Sequence, residues 1–178
     1  MSDAETTMRA GPIGLARKLI EWWALAGGLV LVAIVLMTTW SVFSGAVFGT
    51  PFPGDFELTE IGVAVAAFAF LPYCQITGSN VSADIFTSRA GPRAVAALTL
   101  LAALVAIGFS LILLWRMWVG MIDYQKYLET TAILQIPLWM AFVPILCSLA
   151  LLCLAAIITL IESFTEMTSA SPREVTPS

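Results

Sequence analysis

The chain has 178 residues, of which 60% are hydrophobic and 11% charged, and its net charge is −4. Ordinary soluble domains carry about 25% charged residues, so this composition excludes a soluble globular protein. The chain has no histidine, which removes His-ligated haem and most zinc chemistry, and no metal or cofactor is expected. Cys74, Cys147 and Cys153 lie in or at the end of apolar tracts without a CxxC spacing and read as small packing residues.

Four uncharged tracts stand between ionisable residues: Trp22 to Gly54, Ile61 to Ala83, Ala94 to Trp115 and Thr130 to Ile161. Each exceeds the roughly 20 apolar residues that a helix needs to cross a ~30 Å hydrocarbon core. The fold class is therefore an all-α integral membrane protein with four transmembrane helices. A β-barrel would show tracts of about ten residues alternating apolar and polar, and no such alternation occurs. The first tract is longer than the roughly 7–15 apolar residues of a cleavable signal, so it is expected to stay as a helix.

In chain order, residues 1–11 are polar and expected to be a disordered cytoplasmic N-terminus. PIGLARKLIEWWA then sets Leu15, Leu19, Trp22 and Trp23 on one helical face, with Arg17, Lys18 and Glu21 opposite. This is the pattern of a short amphipathic helix before the first span, an interfacial anchor built from Arg17, Lys18, Trp22 and Trp23, or alternatively a partner-docking helix. Residues 12–164 form the membrane domain. Span one is expected over about 23–48, and TPFPGDFE makes a tight external turn through Pro51, Pro53 and Gly54.

Span two, about 57–75, opens with acids suited to a helix N-terminus, and Pro72 is expected to kink or end it. The polar segment GSNVSADIFTSRAGPR follows, in which Asn80 or Ser79 can cap a short helix carrying Asp84 in its first turn. Pro92 then sits at the first turn of span three, about 92–122. Span four, about 137–163, opens with IPLWMAFVPI, and residues 165–178 read as a disordered cytoplasmic tail.

Basic residues order the topology. Arg9, Arg17 and Lys18 precede span one, Arg89 and Arg93 lie between spans two and three, and Arg173 follows span four. The connections after spans one and three hold between them only Lys126. By the positive-inside rule both termini and the Gly78 to Arg93 loop are cytoplasmic. Only Glu60 and Arg116 carry charge a turn or more inside the ends of the spans, each toward an outer end. Burying a charge at a helix centre costs about 2.5–3.5 kcal/mol on insertion scales, so the pair is expected to meet each other or to help bind a neighbouring subunit, the bland alternative being independent snorkelling to the headgroups.

The order of these features resembles the small membrane subunit, DctQ-type, of tripartite ATP-independent periplasmic (TRAP) transporters. The residues that carry the resemblance are Glu60, then Asn80-Val81-Ser82-Ala83-Asp84 and Arg89, then Leu134-Gln135-Ile136-Pro137-Leu138-Trp139 with Pro144. It extends over nearly the whole chain. Members often have histidine where Asn80 stands, so hydrogen bonding or capping, and not protonation, is the role open to that position.

The resemblance implies a multi-pass protein of the bacterial inner membrane that is not an enzyme. It implies a large membrane subunit that binds sodium and substrate, and a periplasmic binding protein that delivers an organic acid. This chain would scaffold the large subunit. Glu60, Arg116, Asn80, Asp84 and Arg89 are then candidates for subunit contact, and Pro137 and Trp139 candidates for periplasmic docking. The competing reading is a self-sufficient four-helix transporter or channel acting as a homo-oligomer, against which stand the charge-free middles of all four spans. A membrane enzyme lacks any clustered nucleophile and base.

Overall fold

The structure is a computed structural model that describes residues 12–78 and 92–169, with side chains placed over 13–78 and 100–164. Among these residues the chain forms four helices: α1 (Pro12–Phe48), α2 (Asp55–Ile76), α3 (Pro92–Tyr127) and α4 (Trp139–Ser169). All four are long and apolar enough to cross a membrane. Their outward surface is one of leucine, valine, phenylalanine and tryptophan, Leu29 being 72% exposed and Trp115 70%. That is the surface expected of helices solvated by lipid tails instead of water.

Three boundaries differ by five residues or more from those read in the sequence, one of them the end of α3, which runs to Tyr127 where about 122 was expected. α1 runs unbroken from Pro12, so the segment expected as a separate amphipathic helix is the first part of a single 37-residue helix. At 1.5 Å per residue it is about 55 Å long, well beyond a ~30 Å core. No Gly-Pro break or capping residue stands between Glu21 and Trp23, so nothing local ends the first segment. α4 likewise continues through the start of the expected tail to Ser169. Pro72 lies inside α2 and is buried, and the helix carries on one further turn to Ile76.

α4 is the hub. It packs along both α2 and α3 and more lightly against α1, while α1 packs along α2. The buried cluster of Ile145, Leu149 and Leu152 on α4 receives Val65 and Phe68 from α2 on one side, and Leu113, Leu114 and Met117 from α3 on the other. Spans two and three, though consecutive, are thus separated by the last helix. α4 also buries 39% of its most apolar stretch, against 11–17% for the other three.

The α1–α2 seam depends on small residues. A side chain at Gly27 would place its Cβ 2.7 Å from the Cβ of Ala69, and Ala66 and Ala69 are themselves buried. A Cβ at Gly62 would overlap Ile34. With lipid as apolar as leucine, helix pairs in membranes gain from such close backbone approach and not from a hydrophobic driving force.

Candidate functional site

The two connections at the hairpin end of the bundle, residues 49–54 and 128–138, are joined into one rigid surface. The first is held from α1: the Ser41 hydroxyl donates to Asp55 Oδ2 at 2.6 Å and accepts the Phe52 N–H at 3.1 Å. Ser44 donates to the carbonyl of Thr50 at 3.0 Å. Gly54 then begins α2 at φ +80°, a conformation open to glycine, and the Leu134 side chain lies where a Cβ would project.

The second connection is a small closed loop. Thr130 and Pro137 form an antiparallel bridge, Thr131 N–H donates to Ile136 C=O at 3.0 Å, and Leu138 N–H donates to Glu129 C=O at 3.1 Å. Its junction with α3 is closed by Glu129 N–H donating to Tyr124 C=O, with Leu128 at φ +52° in the left-handed position usually filled by glycine. Gln135 is the other non-glycine residue at positive φ among those described.

Glu57 ties this loop to α2. Its carboxylate accepts the N–H groups of Ile133 at 2.7 Å and Leu134 at 3.0 Å. In the sequence Glu57 reads only as an acid suited to the start of a helix. Its second role joins residues 76 and 77 positions apart, and no local spacing signals it. Around the stapled surface stand the exposed side chains of Phe52, Phe56, Tyr127, Leu128 and Ile133. The docking candidates Pro137 and Trp139 are half-buried beside it, at the bridge and at the start of α4.

Glu60 and Arg116 do not meet. α4 lies between their helices, both side chains are exposed, and neither has an ion-pair partner among the described residues. The expected internal pair is therefore not formed, because the packing order does not bring spans two and three together. Asn80, Asp84 and Arg89 lie outside the described residues.

At the opposite end, the four interfacial residues divide. Lys18 and Trp22 are exposed. Arg17 instead turns toward α4 and forms an ion pair with Glu162, its Nη2 lying 2.8 Å from both carboxylate oxygens. Trp23 also turns in, its indole N–H donating to Ser148 Oγ at 2.9 Å, and Ser148 donates in turn to the carbonyl of Pro144 at 2.8 Å. The Arg17 contact places the beginning of α1 beside the last turns of α4, and the Trp23 contact reaches the first half of α4. Between α3 and α4 runs an open apolar groove of about 540 Å³, with Trp115, Trp118 and Cys147 in its walls.

Residues 34–166, most of the four-helix core, match the family of tripartite ATP-independent periplasmic transporters, DctQ component. The chain belongs to the DctQ family. It is the small membrane component of a TRAP transporter and a multi-pass protein of the inner membrane. DctQ components are generally non-catalytic and associate with a large membrane subunit and a periplasmic binding protein. No curated protein and no solved structure matched the chain.

Proposed function

We propose that this DctQ component is a scaffold that does not itself bind substrate, and that it supports a large membrane subunit in sodium-driven uptake of an organic acid. The observation that carries the reading is the character of the spans. Each is a continuous helix, and every charged residue in the described spans stands within about three turns of a helix end, Arg116 lying furthest in. Transport sites for anions and sodium are typically built near the bilayer midplane from broken helices whose free ends and carbonyls face the ligand. Nothing of that kind is present among the described residues.

By the positive-inside rule, the Arg17 and Glu162 end faces the cytoplasm and the hairpin end faces the periplasm. The stapled hairpin surface, with Pro137 and Trp139 beside it, is then the docking ground for the substrate-loaded binding protein. Glu60 and Arg116, exposed and without an ion-pair partner among the described residues, are our candidates for contact with the large subunit, together with Asn80, Asp84 and Arg89 on the cytoplasmic side.

The test is mild-detergent purification of the C-terminally tagged chain from native membranes, followed by mass identification of what remains bound. Recovery with one large polytopic protein supports the scaffold reading, and the binding protein encoded with it would lead to the substrate. Recovery as a homo-oligomer that transports after reconstitution would overturn it in favour of a self-sufficient transporter.

A further inference from the structure

The contacts between α1 and α4 are few, and two of them are polar. About 9 Å of α1 separates Arg17 from Trp23, whereas about 21 Å of α4 separates their partners Glu162 and Ser148, at 1.5 Å rise per residue. The two side chains therefore hold a longer stretch of α4 than they occupy on α1. On α4 the two partners lie close to four full turns apart and share a face. On α1, at about 100° per residue, Arg17 and Trp23 stand roughly 120° apart. Ile20, fully buried, falls between them on that helical projection, with Ala24 buried one turn further on. The two polar side chains therefore reach α4 from either flank of a buried apolar strip.

We propose that Arg17 and Trp23 form a two-point clasp that fixes how α1 sits against the hub helix, and so sets the shape of the scaffold offered to the large subunit. The proposal rests on the scaffold reading. Arg17 is suited to the role because its guanidinium is always charged and its Nη2 reaches both oxygens of the Glu162 carboxylate. Arg17–Glu162 is also the ion pair found among the described residues. Trp23 fixes the other flank through Ser148, which is fully buried and whose hydroxyl is itself oriented by its bond to the Pro144 carbonyl. Arg17 and Trp23 act as positioning residues, since neither is asked to touch the substrate.

Charge exchange separates this role from simple stability. Arg17→Glu, Glu162→Arg and the combined exchange are compared with the unaltered chain in nanodiscs. Amide hydrogen exchange over residues 13–24 reports the clasp, and co-purification of the large subunit reports its consequence. A half-exposed ion pair contributes on the order of 1 kcal/mol, or about fivefold. Each single reversal should therefore speed exchange about fivefold in that segment and lower the amount of large subunit retained, and the combined exchange should restore both. Trp23→Phe, which keeps an aromatic ring but loses the indole N–H, should act in the same direction.

Unchanged exchange in the single variants, or failure of the combined exchange to restore it, overturns the clasp. Full rescue of exchange with no variant altering retention of the large subunit overturns the positioning role. If the unaltered chain retains no large subunit, the scaffold reading fails separately, and the exchange data alone then decide whether α1 is clasped.

Discussion

Gly27 and Gly108 both lie inside apolar helices, yet an added methyl group meets different surroundings at the two positions. At Gly27 the new Cβ would stand 2.7 Å from the Ala69 Cβ and 3.5 Å from the Ala66 carbonyl oxygen, whereas at Gly108 nothing lies within 4 Å. Carbon atoms pack best at about 3.5–4.0 Å, and the Ala69 Cβ has no rotamer by which to retreat. Gly27→Ala must therefore part α1 from α2 by about 1 Å, and a gap of that size forfeits a quarter to a half of each dispersion contact along the seam.

Overpacking of this kind typically costs about 1–3 kcal/mol. The helix-propensity gain of alanine over glycine, at most about 1 kcal/mol, is common to both sites and cancels in the comparison. Gly27→Ala should thus be less stable than Gly108→Ala by about 1–3 kcal/mol. The added substitution Ala69→Gly should recover most of the loss. The assay is reversible unfolding of the purified chain in mixed micelles by denaturing detergent, followed by circular dichroism. Equal stabilities for Gly27→Ala and Gly108→Ala, or no recovery with Ala69→Gly, would refute the close-packed seam.

Three further outcomes are expected. Glu57→Gln should speed hydrogen exchange at the Ile133 and Leu134 amides while leaving the α1–α2 seam unchanged, because the neutral side chain keeps one acceptor oxygen where the carboxylate offers two; peptide-resolved exchange will show whether the change stays local. Leu128→Gly should stabilise the chain by about 1 kcal/mol by relieving a left-handed residue at the end of α3, and an unchanged or lowered unfolding midpoint would count against strain there. Glu60→Gln and Arg116→Gln should leave the stability of the isolated chain unchanged, since neither has an ion-pair partner among the described residues, but should weaken co-purification of the large subunit; a loss of stability without the partner would argue for an internal role instead.

The number of spans was legible because lipid imposes it: four tracts without a charge, each long enough to cross, leave little freedom in the count. Pro92 and the Pro51–Gly54 turn likewise placed the starts of α3 and α2 to within two residues, since their backbone constraints are local. What could not be read was which face of each helix meets protein and which meets lipid. Both faces are apolar, so hydropathy does not distinguish them. That is why Leu15, Leu19 and Trp22, grouped with Trp23 as one amphipathic face, prove exposed while Trp23 turns inward, and why Arg17, expected at the headgroups, is held by Glu162. The separation of Glu60 from Arg116 has the same origin, because sequential order suggested adjacent helices where α4 intervenes. Glu57 shows the remaining limit: its bonds to Ile133 and Leu134 join distant segments and leave no local trace.

That the hub is the last helix has a consequence for biogenesis. As the chain leaves the ribosome, α1 and α2 can pair at once through their glycine and alanine seam, but α3, which among the described residues packs along α4, emerges before that partner. It must wait in lipid until α4 arrives and joins it to α2 in a single docking step. Chains interrupted before Trp139 would thus present an inserted but unassembled third helix to membrane quality control, so only fully translated copies would reach the transporter.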